Sequence, residues 1–379
     1  MRTALPRPSL LATTLLAATI APAQQPVKLP AVADSGPTPQ TQSAPQNNNS
    51  WTAPPGTTIT IDRRSGRYTM TLPVQPVDGS AEQALRFADW DAHPYAGSGP
   101  YPATRQEPAS LPTHTVYLPA DLAHAPKLPI VLWANGGCRN TSVEFTRFLG
   151  EIASHGYLIV AVGRSTIPFL VIHGSIAAVA GQRDANGDPY VIMDASYMTK
   201  GLDWAIAENS RPASPLFGKL DTAKVATMGQ SCGGPQAFTA AHDPRVTTVI
   251  ALNSNFPTAN PAGGAPGAPA RPANPNAWTA DKLTIPAALF NGGPADSGYT
   301  GAETTYKALP STLPALKASL TSVGHTGAYP MPELRYTNAV LAWLDWQLKG
   351  DIHATATFSG PNCALCRDPD WWIDSQNLP

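Results

Sequence analysis

The residues best equipped for chemistry are Gly229-Gln230-Ser231-Cys232-Gly233, a G-x-S-x-G run between the strand-like stretch 224–228 and the small residues 234–241. A serine at so sharp a strand-to-helix turn is held in strained backbone geometry that aims its hydroxyl at solvent. The flanking positions lie too close to neighbouring backbone for side chains, hence Gly229 and Gly233. The motif alone is a weak signal. The preceding strand, the spacing and the extra Gly234 weigh against the bland reading of a glycine-rich turn.

A serine hydroxyl is a poor nucleophile at neutral pH and needs a base within hydrogen-bond reach, itself oriented by a carboxylate. Behind an elbow of this kind the order along the chain is serine, acid, histidine. Asp296 ends the run Asn291-Gly292-Gly293-Pro294-Ala295-Asp296 just past the apolar stretch 287–290, at a strand end. Its competing role is an Asx-turn residue, and Glu303 is the reserve acid. His325 stands in Val323-Gly324-His325-Thr326-Gly327, so a loop flanked by glycines presents it. His93, His114, His124, His155 and His173 precede the serine, His242 lies a turn or two beyond it on the same helix, and His353 follows the final helix.

Acyl transfer also needs two backbone donors at the developing oxyanion. One is the amide of Cys232. The loop Asn135-Gly136-Gly137-Cys138 supplies the other, because its glycines let main chain approach a substrate. Gly137 is the expected donor, with the Cys138 amide as the alternative register. A tight strand-exit turn would use the same glycines.

These residues need a framework. From about Thr113 onward, strand and helix patterns alternate, which predicts an α/β class with a mostly parallel sheet and helices on both faces. Strands are expected over 115–118, 129–134, 157–162, 224–228, 246–252 and 287–290. A helix over 142–154 is stopped by Gly156. A second starts at the N-cap Asp194 and carries Met198, Leu202 and Ala205 or Ile206 at helical spacing. Leu334, Leu341, Leu344 and Leu348 mark one face of a last helix that Gly350 ends. The Pro, Ala, Gly and Asn-rich stretch 255–276 reads as a long inserted loop.

Arg2 and Arg7 precede the apolar run 10–20 and Ala21-Pro22-Ala23, the pattern of a secretory signal peptide over 1–23. Residues 24–55 hold hardly any large apolar side chain and read as a disordered leader. Residues 56–379 suit one catalytic domain. The expected location is secreted or periplasmic. The most apolar later stretch, 167–180, is broken by Pro168, His173, Gly174 and Ser175, so no membrane anchor is expected.

Removal of Arg2 and Arg7 takes a formal charge of −1 to −3, with no basic run, which argues against nucleic acid as a partner. The 13% charged fraction and 41 prolines, beside 42% hydrophobic residues, fit a loop-rich exported chain. Asp184-Ala185-Asn186-Gly187-Asp188 resembles the start of a calcium loop. Pro189 and Ala195 stand where such a loop needs Gly and Glu, so it reads as a turn. No metal or cofactor is expected, and a monomer is assumed.

Taken together, these motifs resemble the α/β-hydrolase superfamily over about Leu111 to Trp346. The likeness is to its secreted branch near dienelactone hydrolases, chlorophyllase-like proteins and bacterial polyester hydrolases. Gly99-Pro100-Tyr101 and the stretch 343–351, WLDWQLKGD, are similar to the two ends of the polyester hydrolase domain. Those enzymes usually place His and Met around the serine, where this chain has Gln230 and Cys232, and an aromatic where it has Gly137.

The resemblance implies the α/β-hydrolase fold and a serine esterase with Ser231 as nucleophile, His325 as base and Asp296 as acid. Its substrate would be a small-molecule or polymeric carboxylic ester. Polyester or cutin-like depolymerisation and acyl transfer on the same site rank behind simple hydrolysis; Trp371 and Trp372, read as exposed aromatics, favour a polymer. A non-catalytic binding protein of that fold ranks last, because every catalytic position is filled.

Four cysteines in an exported chain favour disulfides, with three pairings open. In the implied fold the strands leading to Cys138 and Cys232 are neighbours, which pairs those two and leaves Cys363 with Cys366. A redox or zinc role for C-x-x-C lacks the required context.

Overall fold

The computed structural model describes residues 58–62, 67–71, 96–164, 194–258, 278–328 and 334–379, all within the unit Ser43–Pro379. The expected signal peptide and leader, the apolar stretch 167–180, the turn at 184–188, His93, His173 and most of the insertion 255–276 lie outside them.

Strands β1 (Thr58–Asp62) and β2 (Arg67–Thr71) form a two-stranded antiparallel sheet. The main sheet holds nine strands: β3 (Ala103–Gln106), β4 (His114–Pro119), β5 (Leu128–Ala134), β6 (Leu158–Val162), β7 (Leu220–Gln230), β8 (Thr248–Leu252), β9 (Ala287–Asn291), β10 (Ala315–Leu320) and β11 (Trp371–Gln376). Their order is β11-β10-β9-β8-β7-β5-β6-β4-β3. The six from β6 to β10 across the middle are parallel, while β4, β3 and β11 pair antiparallel at the edges. The class is therefore α/β with a mostly parallel sheet, as the alternating patterns require.

Strands β5, β6, β8 and β9 are buried along their whole length and mostly apolar because both faces of the sheet are covered. Along β5, Val131 and Trp133 enter one core while Ile130, Leu132 and Ala134 enter the other, the two-residue period of a strand. Helices α1 (Thr146–Ser154) and α5 (Leu334–Leu344) pack in the first core. Helices α2 (Ala195–Ser210), α3 (Gly233–Ala240) and α4 (Tyr299–Ala308) pack in the second. Asp194 caps α2, its carboxylate accepting from the Ser196 amide at 2.8 Å. Met198, Leu202 and Ala205 are buried, and Ile206 only partly.

Several elements depart from the expected pattern. The segment over 142–154 opens as a 3-10 turn, Val143–Phe145, before α1 begins. Leu334 is 50% exposed, whereas Leu341, Leu344 and Leu348 are buried; the buried stripe of α5 starts instead at Tyr336. That helix loosens into a π turn, Asp345–Lys349, which Gly350 ends at φ 72°.

Trp371 is not an exposed aromatic. Alternation along β11 turns it inward, stacked with Tyr336, and leaves its neighbour Trp372 49% exposed. Strand β10 lacks a clean apolar signature because Lys317 sits mid-strand. That lysine is buried, and its ammonium pairs with the Asp374 carboxylate at 2.6 Å and with Glu303. Glu303, the reserve acid, is thereby committed to a structural ion pair.

Among the described residues no helix is long and apolar enough to cross a membrane. Disulfides join Cys138 to Cys232 and Cys363 to Cys366, with Cα separations of 5.2 and 5.0 Å. Both observations are compatible with an extracellular or periplasmic location.

Candidate active site

From β5 the chain steps outward to β6, then returns to β7 on the other side of β5 and continues through β8, β9 and β10. The order thus reverses between β5 and β7. In open α/β sheets the crevice at the carboxyl ends of the strands beside such a reversal is where ligands bind. All the candidate residues follow the carboxyl ends of parallel strands: Asn135 to Cys138 after β5, Ser231 after β7, Asp296 after β9 and His325 after β10.

Ser231 has φ 52°, in the left-handed region that non-glycine residues seldom occupy. Its backbone is pinned in that state. The amide donates to the Leu252 carbonyl at 2.9 Å, and its own carbonyl accepts from the Gly234 amide at 3.0 Å and the Ser254 hydroxyl at 2.5 Å. The turn is tight enough that a Cβ at Gly229 would collide with the Gly233 carbonyl, and a Cβ at Gly233 with the Ala134 carbonyl. The two motif glycines are thus required by main-chain contact across the elbow.

His325 Nε2 lies 3.0 Å from Ser231 Oγ, and His325 Nδ1 lies 2.6 Å from Asp296 Oδ1. The imidazole is 28% exposed, while the Asp296 carboxylate is fully buried. Burying that charge requires hydrogen bonds, and four donors meet it. Oδ2 accepts from the Gly292 amide at 2.9 Å and Asn253 Nδ2 at 2.8 Å; Oδ1 accepts from the Gly298 amide at 2.8 Å and from His325 Nδ1–H. With Nδ1 donating, Nε2 is free to accept the serine proton, the tautomer general-base catalysis needs. The Ser297 hydroxyl stands 3.1 Å from the same Nδ1.

The candidate oxyanion loop, Asn135 to Cys138, lies beside the serine. Gly136 carries no side chain because a Cβ there would run into Gln230 Oε1 and lie 3.7 Å from Ser231 Cβ. Gly137 takes φ 64°, and the Cys138 amide is spent on the Asn135 carbonyl at 3.2 Å. Of the two candidate donors, the Cys138 amide is thus already engaged within the turn. Asn135 itself is buried and clamps the turn, donating from Nδ2 to the carbonyls of Arg139 at 3.0 Å and Val162 at 2.5 Å while its Oδ1 accepts from Trp133 Nε1 at 2.8 Å.

Cys232 forms the N-cap of α3, where unpaired helix amides and the dipole favour negative charge. The Cys138–Cys232 bridge ties the residue after Gly137 to the residue after Ser231. Gln230 adds a further link, its Nε2 donating to the His325 carbonyl at 3.1 Å.

All the expected site residues are therefore brought to one place except Cys363 and Cys366. These close a local turn in which Cys363 Sγ accepts from the Cys366 amide at 3.0 Å. Asn253, Ser254 and Tyr336 escaped the sequence reading. Asn253 offered one signal, a residue tolerant of left-handed backbone directly after an apolar strand; Tyr336 offered none beyond its place in an apolar helix face. Among the described residues no cluster of His, Cys, Asp or Glu could hold a metal ion. No family model matches this chain, and no curated protein is similar to it by sequence.

Proposed function

We propose that this chain is a serine hydrolase of the α/β-hydrolase fold that cleaves carboxylic esters through an acyl-enzyme intermediate. The observation that carries the reading is the continuous relay from Ser231 Oγ through His325 to the buried Asp296, at 3.0 and 2.6 Å, on a serine held at φ 52°. Ser231 Oγ attacks the ester carbonyl carbon and gives its proton to His325 Nε2. Asp296 stabilises the resulting imidazolium through Nδ1–H, and the amides of Gly137 and Cys232 receive the negative charge that develops on the carbonyl oxygen. Collapse expels the alcohol, protonated by His325. Water, activated by the same imidazole, then releases the acid and restores Ser231.

The N-terminal pattern and the two disulfides support export, with small or polymeric esters as substrates. The test is paired labelling and turnover. A fluorophosphonate should label the wild-type protein at Ser231 alone, and Ser231→Ala should lose both label and hydrolysis of p-nitrophenyl esters. Labelling of another serine, or equal labelling of Ser231→Ala, refutes the assignment.

A further inference from the structure

Asn253 stands at the carboxyl end of β8, fully buried, and bonds both Asp296 and the loop that carries His325. Its Nδ2 donates one hydrogen to Asp296 Oδ2 at 2.8 Å and the other to the Gly324 carbonyl, also at 2.8 Å, one residue before His325. The Tyr336 hydroxyl shares its single hydrogen between Asn253 Oδ1 at 3.2 Å and the Phe290 carbonyl at 3.0 Å. This pattern settles which way the amide points. With oxygen and nitrogen exchanged, Oδ1 would face a carboxylate and a carbonyl, neither of which can donate. Burial, and then the charge of Asp296, push the Tyr336 hydroxyl well above the ordinary tyrosine range, so it stays protonated and donating.

The backbone of Asn253 is as specific as its side chain. It takes φ 49°, left-handed, with its amide on the Phe290 carbonyl at 2.7 Å. Asparagine is among the few non-glycine residues that tolerate this conformation, and of those it alone presents a neutral NH2 able to give two hydrogens to two acceptors.

We propose that Asn253 is a positioning residue for the acid–base pair. One amide group fixes the Asp296 carboxylate and the His325 loop at a set separation, and Tyr336 fixes the amide. The inference rests on the hydrolase reading above but concerns a residue outside the triad. Asn253 is fully buried, with no surface to offer a substrate, so its loss should appear in kcat and not in KM.

The experiment measures kcat, KM and pH profiles for Asn253→Ala, Asn253→Asp and Tyr336→Phe beside wild type and Ser231→Ala. Asn253→Ala should lower kcat about 10- to 100-fold, the range for a hydrogen bond to a charged group, with KM within about twofold. Tyr336→Phe keeps the ring and should lower kcat a few-fold. Asn253→Asp retains the backbone conformation but sets a second carboxylate against Asp296. The pair is tolerated only while it shares a proton, so this variant should lose activity with rising pH where wild type holds its plateau.

Should Asn253→Ala fail to fold, the Tyr336→Phe kcat and the Asn253→Asp pH profile decide the matter. If Ser231→Ala is inactive while folded Asn253 variants and Tyr336→Phe keep wild-type kcat and pH profile, the positioning role is overturned and the triad stands. If Ser231→Ala remains active, both readings fall.

Discussion

Removing the Cys138–Cys232 bridge should cost stability and turnover together, because the bridge joins the two strand ends that carry the proposed oxyanion donors. The cysteines are 94 residues apart in sequence. In the chain-entropy model a loop of that length stabilises by about 4.7 kcal/mol, a ceiling that native strain and residual unfolded structure lower. At roughly 2.1 cal/mol/K of unfolding entropy per residue over about 280 residues, that ceiling corresponds to a fall of about 8 °C in Tm.

The catalytic effect has a separate origin. Cys138 is held at φ 52° directly after Gly137, so freeing it lets the donor loop relax. Complete loss of one oxyanion donor costs about 100- to 1,000-fold in kcat. Because the Asn135 clamp survives, about 10-fold is expected. The assay compares Cys138→Ser/Cys232→Ser with Cys363→Ser/Cys366→Ser by calorimetry and by kcat on a soluble ester. The second pair spans a separation of only 3, and its loss should cost less than about 2 kcal/mol and leave kcat unchanged. The reasoning is refuted if the first double variant melts and turns over like wild type, or if unreduced peptide mapping finds Cys138 or Cys232 free or joined to Cys363 or Cys366.

Three further outcomes follow from the geometry. Asp296→Asn should lower kcat by about four orders of magnitude, since an amide cannot accept from all four donors around it and selects the wrong histidine tautomer; steady-state kinetics with a circular dichroism control reads this. His114 is buried, with Nε2 2.9 Å from the Tyr197 carbonyl and Nδ1 3.0 Å from the Thr113 hydroxyl, and burial holds its pKa down at about 4. Its unfolded value near 6.5 is higher, so the unfolded state takes up the proton first: stability is full above about pH 6.5 and falls by up to about 3 kcal/mol as pH drops to about 4. Urea unfolding at several pH values should show that slope flattened in His114→Gln, which keeps a donor for Tyr197 without a titrating group, and an unchanged slope would sink the attribution. Gly233→Ala should destabilise by about 2–4 kcal/mol, because its Cβ meets the Ala134 carbonyl, an atom fixed within the sheet; in thermal melts it should cost more than Gly218→Ala, where a Cβ meets nothing within 4 Å and only the left-handed φ of 66° opposes the side chain, and an equal loss would refute the clash.

What the chain determined by itself is whatever depends on local pattern. Ser231 between Gly229 and Gly233, Asp296 past an apolar strand and His325 between Gly324 and Gly327 were all legible, because a sharp turn demands glycine and a buried parallel strand demands an unbroken apolar run. Cys138 and Cys232 were pairable only on the premise of a fold in which their strands adjoin, and the sheet has β5 beside β7.

Tertiary structure alone decided the rest. Strand β10 was hidden by Lys317, whose burial makes sense only once Glu303 and Asp374, from α4 and β11, arrive to neutralise it. Trp371 and Trp372 are indistinguishable as residues, and strand alternation against Tyr336 selects which is buried. Asn253 illustrates the limit most clearly. Its amide gains meaning from Asp296, Gly324 and Tyr336, which lie 43, 71 and 83 positions away. A hydrogen-bond network is a property of the assembled surfaces, and no periodicity along the chain encodes which distant donors and acceptors folding will bring within 3 Å of one another.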